Sequence, residues 1–464
     1  MSEKLFKGIV SGYNHKGMGV VRVEDAVYFV PGALSGEEIA FAAISVPVQG
    51  KKPGQGRLKE IFNPSSSRIQ PACPYYADCG GCQLQHASYP HQLEIKAKIL
   101  ERALRPLAKL DPEIYGKQKP VLPSPEESAY RNKGIFAVER AEDRVLIGFY
   151  RQKSRIIAGQ GCPRLFSREV NGLAAALAFW LENRREALLG PEGLHHVMIR
   201  ESKTTGRLIL VLIGAGPKPA WLGDFLNTFI PRQPEDLPPC APPPRQILSG
   251  IGWLSSPYRD GPVLQGKPET LWGSLVLVEQ LLGLSFGITP QSFFQVNTRQ
   301  AAVLYEEVLK AAALTGKETV WDLYCGTGTI SLCLARQARQ VLGVEYIEEA
   351  VEAARKNAAV NQLKNLSFLA GPAEKLLPAY QGQAPDIVVL DPPAKGAAAA
   401  VLAAILKASP RRIVYVSCDP ATLSRDLQRL LAEGGYRIEY IQPVDLFPQT
   451  AHVEVIVGIQ RSDL

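Results

Sequence analysis

The chain has 464 residues, 46% of them hydrophobic and 21% charged, with a formal net charge of +7. That length exceeds what one hydrophobic core commonly holds, so two or three domains are expected, with the composition of a soluble globular protein. No apolar run approaches the roughly 20 residues of a membrane span, the opening Met-Ser-Glu-Lys-Leu-Phe-Lys has no signal-peptide core, and the charge permits a polyanionic partner without demanding one.

Eight cysteines in a large chain with no secretion signal argue for a cytoplasmic protein, and for metal or catalytic roles rather than a disulfide framework. Residues 1–62 read as a small β-domain. Gly19–Val23 and Ala26–Val30 flank a tight turn at Glu24-Asp25, and Ile39–Val46 and Gly56–Phe62 supply further strands. Short strands with Gly-rich turns suggest a closed, OB-like β-barrel, and eight basic against six acidic side chains leave it mildly positive. The pattern resembles a TRAM domain, a small RNA-binding barrel.

Residues 63–288 read as an α+β central domain. It opens on Cys73-Pro-Tyr-Tyr-Ala-Asp-Cys79-Gly-Gly-Cys82, whose glycines let the backbone wrap closely around a bound centre. Three thiolates need a fourth partner to close a zinc or Fe–S site, and His86 and Cys162 are the candidates; spacing alone does not separate the two kinds of centre. A helical pattern follows over His91–Ala108, and its part from 92 to 108 is expected to pack on the C-terminal domain. Arg131, Lys133, Arg151, Lys153 and Arg155, with Tyr130 and Tyr150, form a basic, aromatic-interleaved stretch suited to phosphate and base contacts. A solvated charged face is the plainer alternative. The segment 166–230 alternates helix-like (Val170–Glu182) and strand-like (Leu208–Ile213) patterns. Seven prolines in Pro231–Pro244 exclude a helix or a central strand there, and Cys240 within it is assigned no role.

From 289 to 464 strands and helices alternate as in a doubly wound parallel sheet. Glu318–Leu323 ends in Tyr324-Cys-Gly-Thr-Gly-Thr329 before an apolar helix, a turn where backbone approaches a ligand closely. Gln340–Val344 ends in Glu345, 17 residues after Gly328, placed to accept from ribose hydroxyls. Asp386–Leu390 is apolar after its first residue and ends in Asp391, which Pro392-Pro393 hold rigidly. Val414–Ser417 delivers Cys418, and a helix is expected over Ala421–Glu433. Downstream, Asp445–Glu454 leads into the strand Val453–Ile459, with Glu454 near its start. A lone cysteine is more often a small buried filler. Four ligand-facing strand ends in register make that reading untenable here.

The residues Phe-Phe-Gln295-Val-Asn, Asp-Leu-Tyr324-Cys-Gly-Thr-Gly, Asp391-Pro-Pro, Val-Ser-Cys418-Asp-Pro-Ala-Thr-Leu and Phe-Pro-Gln-Thr-Ala-His-Val-Glu454 together resemble the RNA (uracil-5-)methyltransferases. The resemblance covers nearly the whole chain. It implies a Rossmann-like class I methyltransferase domain and S-adenosylmethionine as donor, bound by Gln295, Tyr324, Glu345 and Asp391. It also implies a 4Fe–4S cluster on Cys73, Cys79, Cys82 and Cys162, which demotes His86. Cys418 is then the nucleophile and Glu454 the base. The expected partner is RNA, 23S rRNA in preference to the tRNA T-loop, acted on by a monomer away from any membrane. Two departures stand out: Ala394-Lys395 follows Asp-Pro-Pro where many relatives carry Arg, and Gly371-Pro372-Ala373-Glu374 lacks the usual Asp or Asn. Two rivals remain at this point. An exocyclic-amine methyltransferase would have no use for Cys418, and a non-catalytic Fe–S RNA-binding protein would bind RNA but no donor.

Overall fold

A computed structural model describes residues 5–45, 53–142, 144–182, 184, 193–232, 234–238, 241, 243–259, 261–432 and 435–462. Cys240, Glu433 and Val46, which the sequence reading touched, lie outside them.

Five strands at the N-terminus (Leu5–Tyr13, Gly19–Val23, Ala26–Val30, Glu38–Ser45 and Gly54–Ile61) close into a barrel. The last of them pairs parallel with Ala26–Val30 and antiparallel with Glu38–Ser45. Its interior is Val10, Val21, Tyr28, Val30, Ile39 and Phe41. Leu5–Tyr13 was not anticipated. It carries apolar side chains on both faces, with Leu5 and Ile9 exposed and Val10 buried, so the alternation that marks a half-buried strand is blurred. Arg68 ties the barrel to the next segment through two 2.6 Å bonds to the buried Glu37 carboxylate.

The central region is a six-stranded sheet in the order Glu269–Gly273, Leu248–Ser255, Leu208–Gly214, Leu194–Glu201, Lys133–Ala141, Arg144–Gly148. Helices Arg168–Glu182 and Trp221–Phe229 contribute Trp180, Phe225 and Phe229 to its core. Among the described residues of the proline-rich stretch, the short turns Pro234–Asp236 and Pro244–Ile247 are the helical parts. A hairpin of Leu277–Leu281 and Leu284–Ile288 leads on to the last sheet.

That sheet has seven strands, in the order Leu366–Ala370, Gln340–Glu345, Thr319–Leu323, Ile387–Leu390, Arg412–Ser417, Glu454–Arg461, Tyr436–Val444. The first five run parallel; Glu454–Arg461 runs antiparallel to both its neighbours. The chain leaves Thr319–Leu323 towards one edge and returns on its other side at Ile387–Leu390. The topological switch point therefore lies between those two strands, and a ligand crevice opens beyond their carboxyl ends. Helix Tyr89–Leu104 lies against helix Pro420–Ala432, its Leu100 and Leu104 sharing one core with Leu423, Leu427 and Leu430. Among the described residues no helix is long and apolar enough to cross a membrane.

Candidate active site

At the switch point Tyr324 adopts a left-handed backbone, φ 64°, rare for an aromatic residue. Its N–H donates to Val344 O at 2.8 Å, pinning the turn to the neighbouring strand. Gly326 follows with φ 54°, and a Cβ built there would meet nothing within 4 Å, so the turn faces open space. The two Glu345 oxygens accept from Gly326 N–H at 3.0 Å and Ile347 N–H at 2.9 Å. The carboxylate is thus held across the mouth of the turn with lone pairs to spare. Beneath, Asp322 is buried and accepts from Ser331 Oγ; burial foremost pushes its carboxyl up to about 7.

The other wall is the segment Phe293–Asn297. Gln295 is buried, and its carbonyl accepts from Asn132 Nδ2 at 2.9 Å. Asn297 caps the helix Thr298–Ala312 and donates to Ser124 Oγ and Leu446 O. Thr327 Oγ1 reaches Phe293 O at 3.2 Å, bringing this wall onto the glycine turn. The exposed Phe293 and Tyr346 rim the opening. Tyr324, Glu345 and Asp391 follow or end three neighbouring strands at the switch point, and Gln295 lies in the segment bonded to the glycine turn. The open glycine turn, carboxylate and aromatic rim fit an adenosyl donor.

Cys418 follows the strand Arg412–Ser417, and Glu454 begins the adjacent antiparallel strand. Asp419 caps the helix Pro420–Ala432 by accepting from Ala421 and Thr422 N–H, each at 2.9 Å. The same helix holds the loop after Pro393 through Thr422 Oγ1 to Ala394 O and Arg425 Nη2 to Lys395 O. The backbone carbonyls of Ala394 and Lys395 are thus both bonded to the helix.

The electrostatics of this corner are one-sided. Burial pushes the Cys418 thiol up to about 12, and Glu454 and Asp391 add to it. Burial and then Asp391 raise Glu454 to about 8, and burial raises Asp391 to about 6. The charged side chains that weigh most on Cys418 are all acidic: Glu454, Asp391 and Asp419. Such a corner suits a cationic ligand, which would lower all three values.

A cleft of about 1470 Å³ runs from the barrel, past the cysteine segment, to this corner. Lys16, Arg57, Arg68, Arg102 and Lys153 line it, and Cys418 and His452 stand at its end.

Cys73, Cys79, Cys82 and Cys162 are free, and the fold brings Cys162 to the other three, about 80 residues before it in the chain. Each of the other three thiols weighs on Cys162, whose value burial foremost pushes up to about 12. Gly81 N–H donates to Cys79 Sγ at 3.4 Å. Among the described residues no three His, Cys, Asp or Glu side chains stand close enough to ligate a single metal ion. His86 is engaged elsewhere, its Nδ1 lying 2.7 Å from Tyr76 Oη.

Two functional-looking residues escaped the sequence reading. Asp322 has a signal in hindsight, an acid inside an otherwise apolar strand. Lys96 has another, a lysine among Gln92, Ile95, Ile99 and Leu100 on the buried face of its helix; it pairs with the buried Asp445.

Comparison with known proteins agrees with this geometry. A family model described as tRNA (uracil-5-)-methyltransferase matches residues 283–462. An RNA methyltransferase of Clostridium tetani is 37% identical over 454 residues, covering 97% of this chain and 94% of its own. One of Listeria monocytogenes is 34% identical over 456 residues, covering 96% and 95%. The crystal structure of Pyrococcus abyssi tRNA (uracil-54, C5)-methyltransferase in complex with S-adenosyl-L-homocysteine superimposes with a TM-score of 0.74 at 26% identity, covering 98% of this chain and 100% of that one.

Proposed function

The chain belongs to the RNA (uracil-5-)methyltransferase family, S-adenosylmethionine-dependent enzymes that modify RNA, and on that premise we propose that it methylates C5 of a uridine in 23S rRNA through covalent addition of Cys418 to C6. The observation that carries this reading is the meeting of Cys418, Glu454 and Asp391 at the end of a basic cleft, beside the donor crevice. Two other features support further parts of the proposal. The barrel that opens the cleft acts as a TRAM-type RNA-binding module, and Cys73, Cys79, Cys82 and Cys162 hold a 4Fe–4S cluster. The enzyme works as a cytoplasmic monomer.

Uracil C5 is a poor nucleophile until electrons are pushed into the ring. The Cys418 thiolate forms a bond to C6, and the C5–C6 π electrons move towards O4 as an enolate. When bound, S-adenosylmethionine supplies a methyl group on a positively charged sulfonium. C5 takes that methyl group, the Glu454 carboxylate removes the C5 proton, and the returning electrons expel Cys418 as thiolate. Glu454 suits the step because burial and Asp391 hold its pKa near 8, close to working pH. The cleft must receive a base taken out of its stack, which costs a few kcal/mol, and its lysines and arginines would hold the opened strand by its phosphates.

The Pyrococcus abyssi neighbour, a tRNA (uracil-54, C5)-methyltransferase, is covered over its whole length by this chain and favours a tRNA T-loop as the second reading. Mapping 5-methyluridine in rRNA and tRNA from a deletion strain decides. Loss of one 23S rRNA methyl group with intact tRNA supports the first reading; the reverse establishes the second.

A further inference from the structure

The loop that delivers Glu454 is hydrogen-bonded to the residues that follow Cys82 through Gln449. Its φ is 71°, a left-handed conformation normally left to glycine or asparagine. The whole of Gln449 is nevertheless used. Its carbonyl accepts from both Gln83 and Leu84 N–H, each at 3.0 Å, and these are the two residues that follow Cys82. Its own N–H donates to Gln92 Oε1 at 3.0 Å, and its Oε1 accepts from Gln92 Nε2 at 3.1 Å. Its Nε2 donates to Glu127 O at 3.1 Å. Gln449 is buried, and Ala451 packs with Leu84 and Ala87 in one small core. Five residues after this turn the chain reaches Glu454.

We propose that Gln449 is a positioning residue through which the cysteine segment places the catalytic base. Residues Gln83 and Leu84, set by the Cys73–Cys82 knuckle, hold the Gln449 carbonyl. The turn fixed in this way then presents Glu454 opposite Cys418. Unseating the knuckle releases the base while leaving the glycine turn of the donor crevice in place, because Tyr324, Gly326 and Glu345 take no part in this contact. A strained non-glycine turn persists only where its surroundings over-determine it, and here five hydrogen bonds do so. This inference rests on the reading of Cys418 and Glu454 as the reacting pair.

The test is amide hydrogen exchange on the anaerobically purified full chain, comparing wild type with Gln449→Gly and Cys79→Ser. Gln449→Gly tolerates the backbone conformation, removes the side-chain bonds and leaves all four cysteines in place. In both variants the amides of 446–454 should exchange at least tenfold faster, with those of 322–330 unchanged. Gln449→Gly should keep its iron content and its affinity for S-adenosylhomocysteine, and should lower kcat with KM for the donor unmoved. Wild-type protection of 446–454 in either variant overturns the proposal, as does a Gln449→Gly that loses protection at 322–330 to the same extent. The premise is tested separately by Glu454→Gln. If that variant turned over like wild type while Gln449→Gly still freed the loop, the base would be misassigned and the fastening would stand.

Discussion

Ser417 pairs with Val455 across two antiparallel strands, and that one register places the next residue of one strand, Cys418, beside the preceding residue of the other, Glu454. Nucleophile and base thus flank the end of a backbone ladder, Cys418 just past one strand and Glu454 at the start of the other, where the loop hands over to the sheet. Asp391 follows the strand on the other side of Arg412–Ser417, so one thiol and two carboxyls meet where these strands end.

The register gives the two residues separable roles. Cys418→Ala should abolish methyl transfer and leave S-adenosylhomocysteine binding intact, because the donor crevice lies one and two strands away. Glu454→Gln should slow turnover on the order of 10²–10⁴-fold, the usual worth of a positioned base. Its block falls after methyl transfer, so a protein–RNA adduct should build up. Denaturing gels with labelled RNA check this: no adduct with Cys418→Ala, an abundant one with Glu454→Gln.

Donor affinity should depend on pH in a direction set by charge. Asp391 near 6 and Glu454 near 8 are both raised above their ordinary values, so they are partly protonated at neutral pH in the free enzyme. A sulfonium favours their ionised forms, so binding releases protons and S-adenosylmethionine affinity rises from pH 6 to pH 8. S-adenosylhomocysteine, an uncharged thioether, should show a flatter profile. Calorimetry of both ligands in two buffers checks the slope and the proton release together.

Burying those acids also costs stability. A carboxyl whose folded pKa is raised favours the folded state fully below its unfolded value of 4.5, and that contribution is lost as pH rises through about 8. Glu454→Gln, which cannot ionise, should match wild type near pH 4 and be the more stable of the two at pH 9. Thermal melts at those two pH values test the sign.

Much of this was legible from the strand ends. A buried parallel strand is a continuous apolar run, so the first polar residue after it marks the crevice. Tyr324, Glu345, Asp391 and Cys418 all announced themselves in that way. Gln449 and Lys96 did not. Their partners lie about 350 residues away in the chain (Gln92 for one, Asp445 for the other), and no local pattern encodes a contact of that range. Several central strands were missed for a related reason. Leu194–Glu201 is buried along its whole length yet carries His195, His196, Arg200 and Glu201, whose polarity hides its position inside the sheet.

The proposed 4Fe–4S cluster is testable by substitution. Cys162 is affected by all three other thiols, whereas the charged groups that weigh on His86 are Arg68, Glu37 and His91. Cys162→Ser should therefore lose most of the iron from anaerobically purified protein, and His86→Ala should retain it. Metal analysis of the two variants reads this directly; zinc in place of iron in wild type would replace the cluster by a single ion.

The buried pair of Lys96 and Asp445 makes the last prediction. Both side chains are fully buried. Asp445 also accepts from Tyr89 Oη at 2.8 Å, and Lys96 donates to Phe447 O at 3.0 Å. Removing one partner leaves the other charge without compensation in an apolar setting. Lys96→Met should therefore destabilise the protein by about 3–5 kcal/mol, while the double replacement Lys96→Met with Asp445→Leu should recover much of that loss. The pair ties the helix Tyr89–Leu104 to the start of the loop that ends in Glu454, so turnover should not return with stability. Urea denaturation of the single and double variants, run beside kcat measurements, separates the two effects: a double variant restored in both would show that the ion pair serves stability alone.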